Sequence, residues 1–73
     1  MPKEKSTQWL RNIAAAPLEQ VPKMTDDVFE ADRLGALRKH ILATMYAVQF
    51  KKIGKPIPEY LRAVLNTLGD RLF

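Results

Sequence analysis

The chain has 73 residues, with 12 lysines and arginines against 8 aspartates and glutamates, giving a formal net charge of +4. That length holds one domain at most, whose thin core buries about 60% of the unfolded chain's surface and leaves no room for a large concave pocket. No cysteine is present, which excludes disulfides and thiolate chemistry, and the single histidine, His40, cannot build a zinc site on its own.

The isoelectric point of about 9.7 favours acidic partners, either nucleic acid or a negatively charged protein surface. The longest strongly apolar stretch, Ile41 to Phe50, falls far short of the ~20 residues that span a bilayer. No signal-peptide apolar region follows the opening MPKEKSTQ, so a cytoplasmic location is expected, with no membrane partner.

Ser6 is in position to cap a short helix from Thr7 to about Ala16, with Trp9, Leu10 and Ile13 on one face. Pro17 disfavours helical backbone at Ala16 and ends it. The two prolines of PLEQVPKMT, Pro17 to Thr25, mark a connector. Its Leu18, Val21 and Met24 at three-residue spacing either pin it to the domain or dock elsewhere. The expected organisation is therefore a flexible amino-terminal segment with a short helix over residues 1–24, and a helical core domain over 25–73.

Asp27 and Glu30 form a D-x-x-E capping pattern, with Thr25 and Asp26 as alternative caps, so a long helix is expected to begin there. Its apolar positions run Leu34, Leu37, Ile41, Met45, Val48, the repeat of one buried helix face. The later part, ILATMYAVQF, is apolar nearly all round and predicts the central buried helix. Gly35 marks either a kink or a close approach by another helix. Lys51 and Lys52 suit the last turn, and Gly54 suits the left-handed residue just past it.

Pro58 fits the first position of a last helix running to about Leu72, with Ile57, Leu61, Val64, Leu65, Leu68 and Leu72 on its apolar face. The fold class is all-α, a small domain of three helices, or four if Gly35 breaks the long one.

No catalytic set is legible: there is no Ser/His/Asp arrangement, no glycine-rich phosphate loop and no metal-ligand spacing. His40 has Ala36 one turn before it and Thr44 one turn after, and capping accounts for Asp26, Asp27 and Glu30. A non-enzyme without cofactor is expected.

The stretch KKIGKPIPEYLRAVLNTLGD, residues 51–70, has the parts of a helix-turn-helix. Its Arg62 to Asn66, RAVLN, resembles the recognition helix of lac-repressor-type regulators, which would imply DNA binding. Lys51, Lys52, Lys55 and Arg62 are the phosphate contacts such a reading needs. Phe50 stands where that motif wants a small residue, the stretch from Gly54 to Asn66 is one residue longer than in those repressors, and Leu61, Val64 and Leu65 are claimed by packing. The alternative is a helix hairpin with a lysine-rich turn.

Trp9, the one tryptophan, followed by Leu10 and Arg11, is a candidate partner anchor, since tryptophan and arginine concentrate binding energy at interfaces. The same Trp9 could instead close the core.

Basic, cysteine-free, helical and without a catalytic set, the chain is similar to the short transcription regulators of lytic Xanthomonas-type bacteriophages. That resemblance implies binding to host bacterial RNA polymerase in the bacterial host cell, with inhibition of initiation and antitermination. Pro58 to Phe73, PEYLRAVLNTLGDRLF, also looks like the late helix of small terminase subunits, which would imply a packaging component. The expected function is that of a monomeric, non-enzymatic regulator binding a host protein complex, with nucleic acid as the second candidate partner. Trp9, Arg11, Lys51, Lys52, Lys55 and Arg62 are the candidate binding residues.

Overall fold

Prolines stand at the joints of this fold. The computed structural model describes the backbone of residues 2–73 and the side chains of residues 8–73. Helix α1 spans Pro2–Ala15, and Pro17, with extended backbone, leads into a 3₁₀ turn at Leu18–Gln20. Helix α2 spans Val21–Ala31, with Pro22 in the first turn, where a missing N–H costs nothing. Helices α3, Arg33–Lys52, and α4, Glu59–Leu72, follow, the latter entered through Pro58 at φ −57° and ψ 146°. The fold is all-α, with no strand among the described residues.

Three expected boundaries move. Ser6 lies inside α1 rather than at its start, and its side chain falls outside the described residues. The second helix begins at Val21, so Asp27 and Glu30 are interior residues, not a capping box. Thr25 is interior as well: it is fully buried, and its hydroxyl donates to the Val21 carbonyl at 2.7 Å. This satisfies a group that would otherwise be costly to bury.

The third difference is where the long helix breaks. It breaks at Asp32, whose extended backbone (φ −157°, ψ 94°) starts α3 and whose carboxylate accepts the Gly35 N–H at 3.0 Å. Asp32 is thus the N-cap that the sequence pattern placed one turn too early. A Cβ on residue 35 would crowd that carboxylate as it stands, and the carboxylate would have to turn aside.

The end of α3 is as expected. Gly54 has φ 75°, its N–H donates to the Lys51 carbonyl at 3.1 Å, and the Lys55 N–H reaches back to the Phe50 carbonyl at 2.9 Å. These two bonds form a Schellman cap, which satisfies carbonyls the helix leaves open.

Helix α4 packs chiefly on α2 and α3, and α1 closes against α3 and α4. The core takes Leu61, Val64 and Leu68 from α4, Val21 and Phe29 from α2, and Leu10 and Ile13 from α1. It therefore draws on residues before position 25 as well as after it.

From α3 the fully buried core takes only Ala36 and Ala43, with Ala47 also buried beside it, and the half-buried Leu42, Tyr46 and Phe50 pack against it. The expected core stripe of α3 is on the outside. Leu34 is 76% exposed, Ile41 52% and Met45 58%, and Leu37 and Val48 are also exposed. The physical reason is that α3 carries two apolar faces. The alanine face lets α1, α2 and α4 approach closely, and their larger side chains, Ile13, Val21, Phe29, Leu61 and Leu68 among them, make up most of the interior.

Candidate protein-docking surface

The outer face of α3 is the main apolar surface on the described part of the molecule. At about 100° per residue, Leu34, Leu37, Ile41, Met45 and Val48 fall within an arc of about 80°, a seam one helix wide. Their exposed fractions amount to a patch on the order of 400–500 Å², within the range of the largest apolar patch on a typical monomer, which is often functional.

Near its carboxy-terminal end lies an open apolar depression of about 390 Å³, lined by Tyr46, Gln49, Phe50, Lys52 and Ile53. Tyr46 also acts on Tyr60 across the α3–α4 junction. Partial burial first, and then repulsion from the Tyr46 phenolate, raise the Tyr60 phenol above its ordinary value.

Lys51, Lys52 and Lys55 are exposed together at this end, on the last turn of α3 and the connector behind it. Arg62, also exposed, sits one turn into α4, where its N–H donates to the Pro58 carbonyl at 3.2 Å. Its neighbours Leu61 and Val64 are fully buried, so α4 offers few side chains to a base edge.

Trp9 and Arg11 lie elsewhere. Trp9 is half-buried against the core, and the Lys39 ammonium sits 5.7 Å from its ring centre, a cation–π contact that ties α1 to α3. Lys39 precedes Lys51 by roughly 18 Å along the helix, so Trp9 and the basic turn do not form one contiguous patch. Arg11 is exposed on α1.

The acidic residues of α2 are spoken for by cations. Asp26 lies 4.0 Å from Arg71 of α4, Glu30 pairs with the same guanidinium, and Asp27 pairs with Lys23 at 3.2 Å. Arg71 of α4 and Arg33 of α3 also approach the Phe29 ring at 4.7 Å and 5.5 Å, contacts that tie α2 to both helices. Asp26 and Glu30 therefore join α2 to α4, and Asp27 pairs within α2, in place of the capping expected for the three. His40 packs edge-on to Phe73 at 5.4 Å. Among the described residues no group of three or more histidine and carboxylate side chains is placed to hold a metal ion, and no helix is long and apolar enough to cross a membrane.

Sequence reasoning missed the outer seam because it assigned those residues to the core. Two signals pointed the other way: a second apolar register, Ala36, Ala43 and Ala47, on the opposite face, and the complete absence of acidic residues from α3. No family model matches the chain, and neither a curated protein nor a solved structure is similar enough to match it.

Proposed function

We propose that this chain is a non-enzymatic regulator that works by docking on a larger protein, with bacterial RNA polymerase as its partner. The observation that carries the docking reading is the exposed aliphatic seam of α3 running into the basic turn at Lys51, Lys52 and Lys55. A small domain gains nothing in its own stability from leaving five large aliphatic side chains in water, whereas a partner that covers them recovers about 25 cal/mol per Å² of apolar surface. Polymerase enters through the resemblance to short phage regulators, and so do the activities, inhibition of initiation and antitermination. A bound domain of this size would act by occluding a competing factor or by favouring one polymerase conformation.

The test is retention of purified, nuclease-treated bacterial RNA polymerase on the tagged protein at micromolar concentration and moderate salt. Retention supports the reading, and its absence sinks it. A second reading, duplex DNA binding, is favoured by the joint exposure of Lys51, Lys52 and Lys55 at the end of α3 and of Arg62 in the first turn of α4 that follows. It predicts binding that weakens steeply with salt and on Arg62→Ala or Lys55→Ala substitution.

A further inference from the structure

Helix α3 carries Arg33, Arg38, Lys39, Lys51 and Lys52 and neither aspartate nor glutamate. Lys39 is engaged over Trp9. Of the others, Arg38 lies along one edge of the aliphatic seam and Arg33, which also approaches the Phe29 ring, and Lys51 along the other, while Lys52 stands in line with the seam just past its carboxy-terminal end, by their helical positions. The seam thus has an apolar centre and rims of a single sign. An interface reads such a pattern by complementarity, apolar against apolar and anion against cation.

We propose that the outer face of α3 seats an amphipathic helix from another protein, with aliphatic side chains on its inner face and carboxylates on both flanks, running antiparallel to α3. This rests on the docking reading above and names the chemistry of the segment that docks. Between Leu34 and Val48 the seam is about 21 Å long, which matches some four turns of a facing helix. The direction follows from the ends. Lys51 and Lys52 stand at the carboxy-terminal end of α3, and acidic residues are favoured in the first turn of a helix, so the partner's amino terminus lies over those lysines.

A second copy of this chain fits the apolar spacing, because in an antiparallel pair Leu34 opposes Val48, Leu37 opposes Met45 and Ile41 opposes itself. It fits the charges poorly, since no α3 carboxylate faces Arg33 or Arg38.

The probe is a pair of synthetic, fluorescently labelled helical peptides. One has leucine at its seam positions and glutamate on both flanks, and the other has lysine in place of the glutamates. Fluorescence anisotropy reads binding to the full chain, and amide NMR shifts locate it. The expected result is micromolar binding of the glutamate peptide, shifts concentrated over the outer face of α3, and no binding of the lysine peptide. A nitroxide at the peptide's amino terminus should broaden the amides of Lys51 and Lys52 rather than those of Leu34 and Gly35.

Ile41→Glu should weaken binding about tenfold or more while the helical circular dichroism is retained. Leu34→Ala, at the most exposed seam position, is the milder variant if Ile41→Glu unfolds. The proposal is overturned by failure of the glutamate peptide to bind, by equal binding of the lysine peptide, or by binding that neither folded variant weakens. It is overturned equally by a dimer in sedimentation that Ile41→Glu dissociates, which gives the face to a second copy. Co-sedimentation with phosphatidylserine vesicles that the same change abolishes gives it to a lipid surface and also overturns it. Polymerase retained while the glutamate peptide fails removes this proposal alone and leaves the function reading standing.

Discussion

The two faces of α3 have opposite compositions from the ones their locations suggest. The innermost line presents Ala36, Ala43 and Ala47 to the core, flanked by the half-buried Leu42, Tyr46 and Phe50, and the outer face presents Leu34, Leu37, Ile41, Met45 and Val48 to water. In a helix selected only for the stability of its own domain, the large aliphatic side chains turn inward, because that burial is the dominant favourable term in folding. The inner alanines are explained by close approach: α1, α2 and α4 bring Ile13, Phe29, Leu61 and Leu68 to the interior, and a small face on α3 lets them pack. The outer residues have no such account within the monomer. The difference separates the residues that fold the chain from those that the fold leaves exposed.

The comparison can be broken by variants on each side of it. Leu61→Ala removes a fully buried side chain that packs in the core beside the inner face, and should cost about 2–5 kcal/mol, a large share of the stability of so small a domain. Thermal unfolding should show a midpoint at least roughly 10 °C lower. Ala43→Leu gives the inner face a residue of the outer kind. Overpacking there should cost about 1–3 kcal/mol, read from urea unfolding midpoints. Asp32→Ala removes the cap on which α3 begins and should cost about 1 kcal/mol by the same measurement, with Asp32→Asn largely restoring it.

The smallest effect lies at the α3–α4 junction. The raised Tyr60 phenol favours the neutral form in the folded state. Its contribution is complete below the ordinary tyrosine value near 10 and is lost as the pH rises through the folded-state value. Urea midpoints followed into alkaline pH should therefore fall more steeply for the native chain than for Tyr60→Phe.

Much of the fold was legible in the sequence. Pro17 ending α1, Gly54 closing α3, and the α4 face built on Leu61, Val64 and Leu68 rest on local rules of proline geometry, left-handed glycine and helical period. The start of α2 was misplaced because two acidic residues inside a helix, Asp27 and Glu30, look the same in sequence as a capping box. Arg71, distant in sequence, explains Glu30, and Lys23, one turn earlier, explains Asp27.

The outer seam was misassigned for a deeper reason. Periodicity reports that a face is apolar, not what covers it, and α3 is apolar on two sides. Which side the domain keeps is decided by the volume that the other helices bring. Of the candidate binding residues, Lys51, Lys52 and Lys55 lie within five residues of one another, so their shared exposure at the end of α3 followed from the chain. The engagement of Trp9 by Lys39 required the tertiary structure.

The most direct test of the account is to measure Ile41→Glu against the native chain in two ways at once, for thermal unfolding and for retention of purified bacterial RNA polymerase. A charge placed on a face that the fold does not use should change stability by no more than about 0.5 kcal/mol, a shift of a few degrees at most. Retention should be lost, because the same charge would have to be buried in the complex without a partner. A midpoint lowered as far as in Leu61→Ala, or polymerase retained undiminished by a folded variant, would contradict the assignment of the outer face of α3 to a partner.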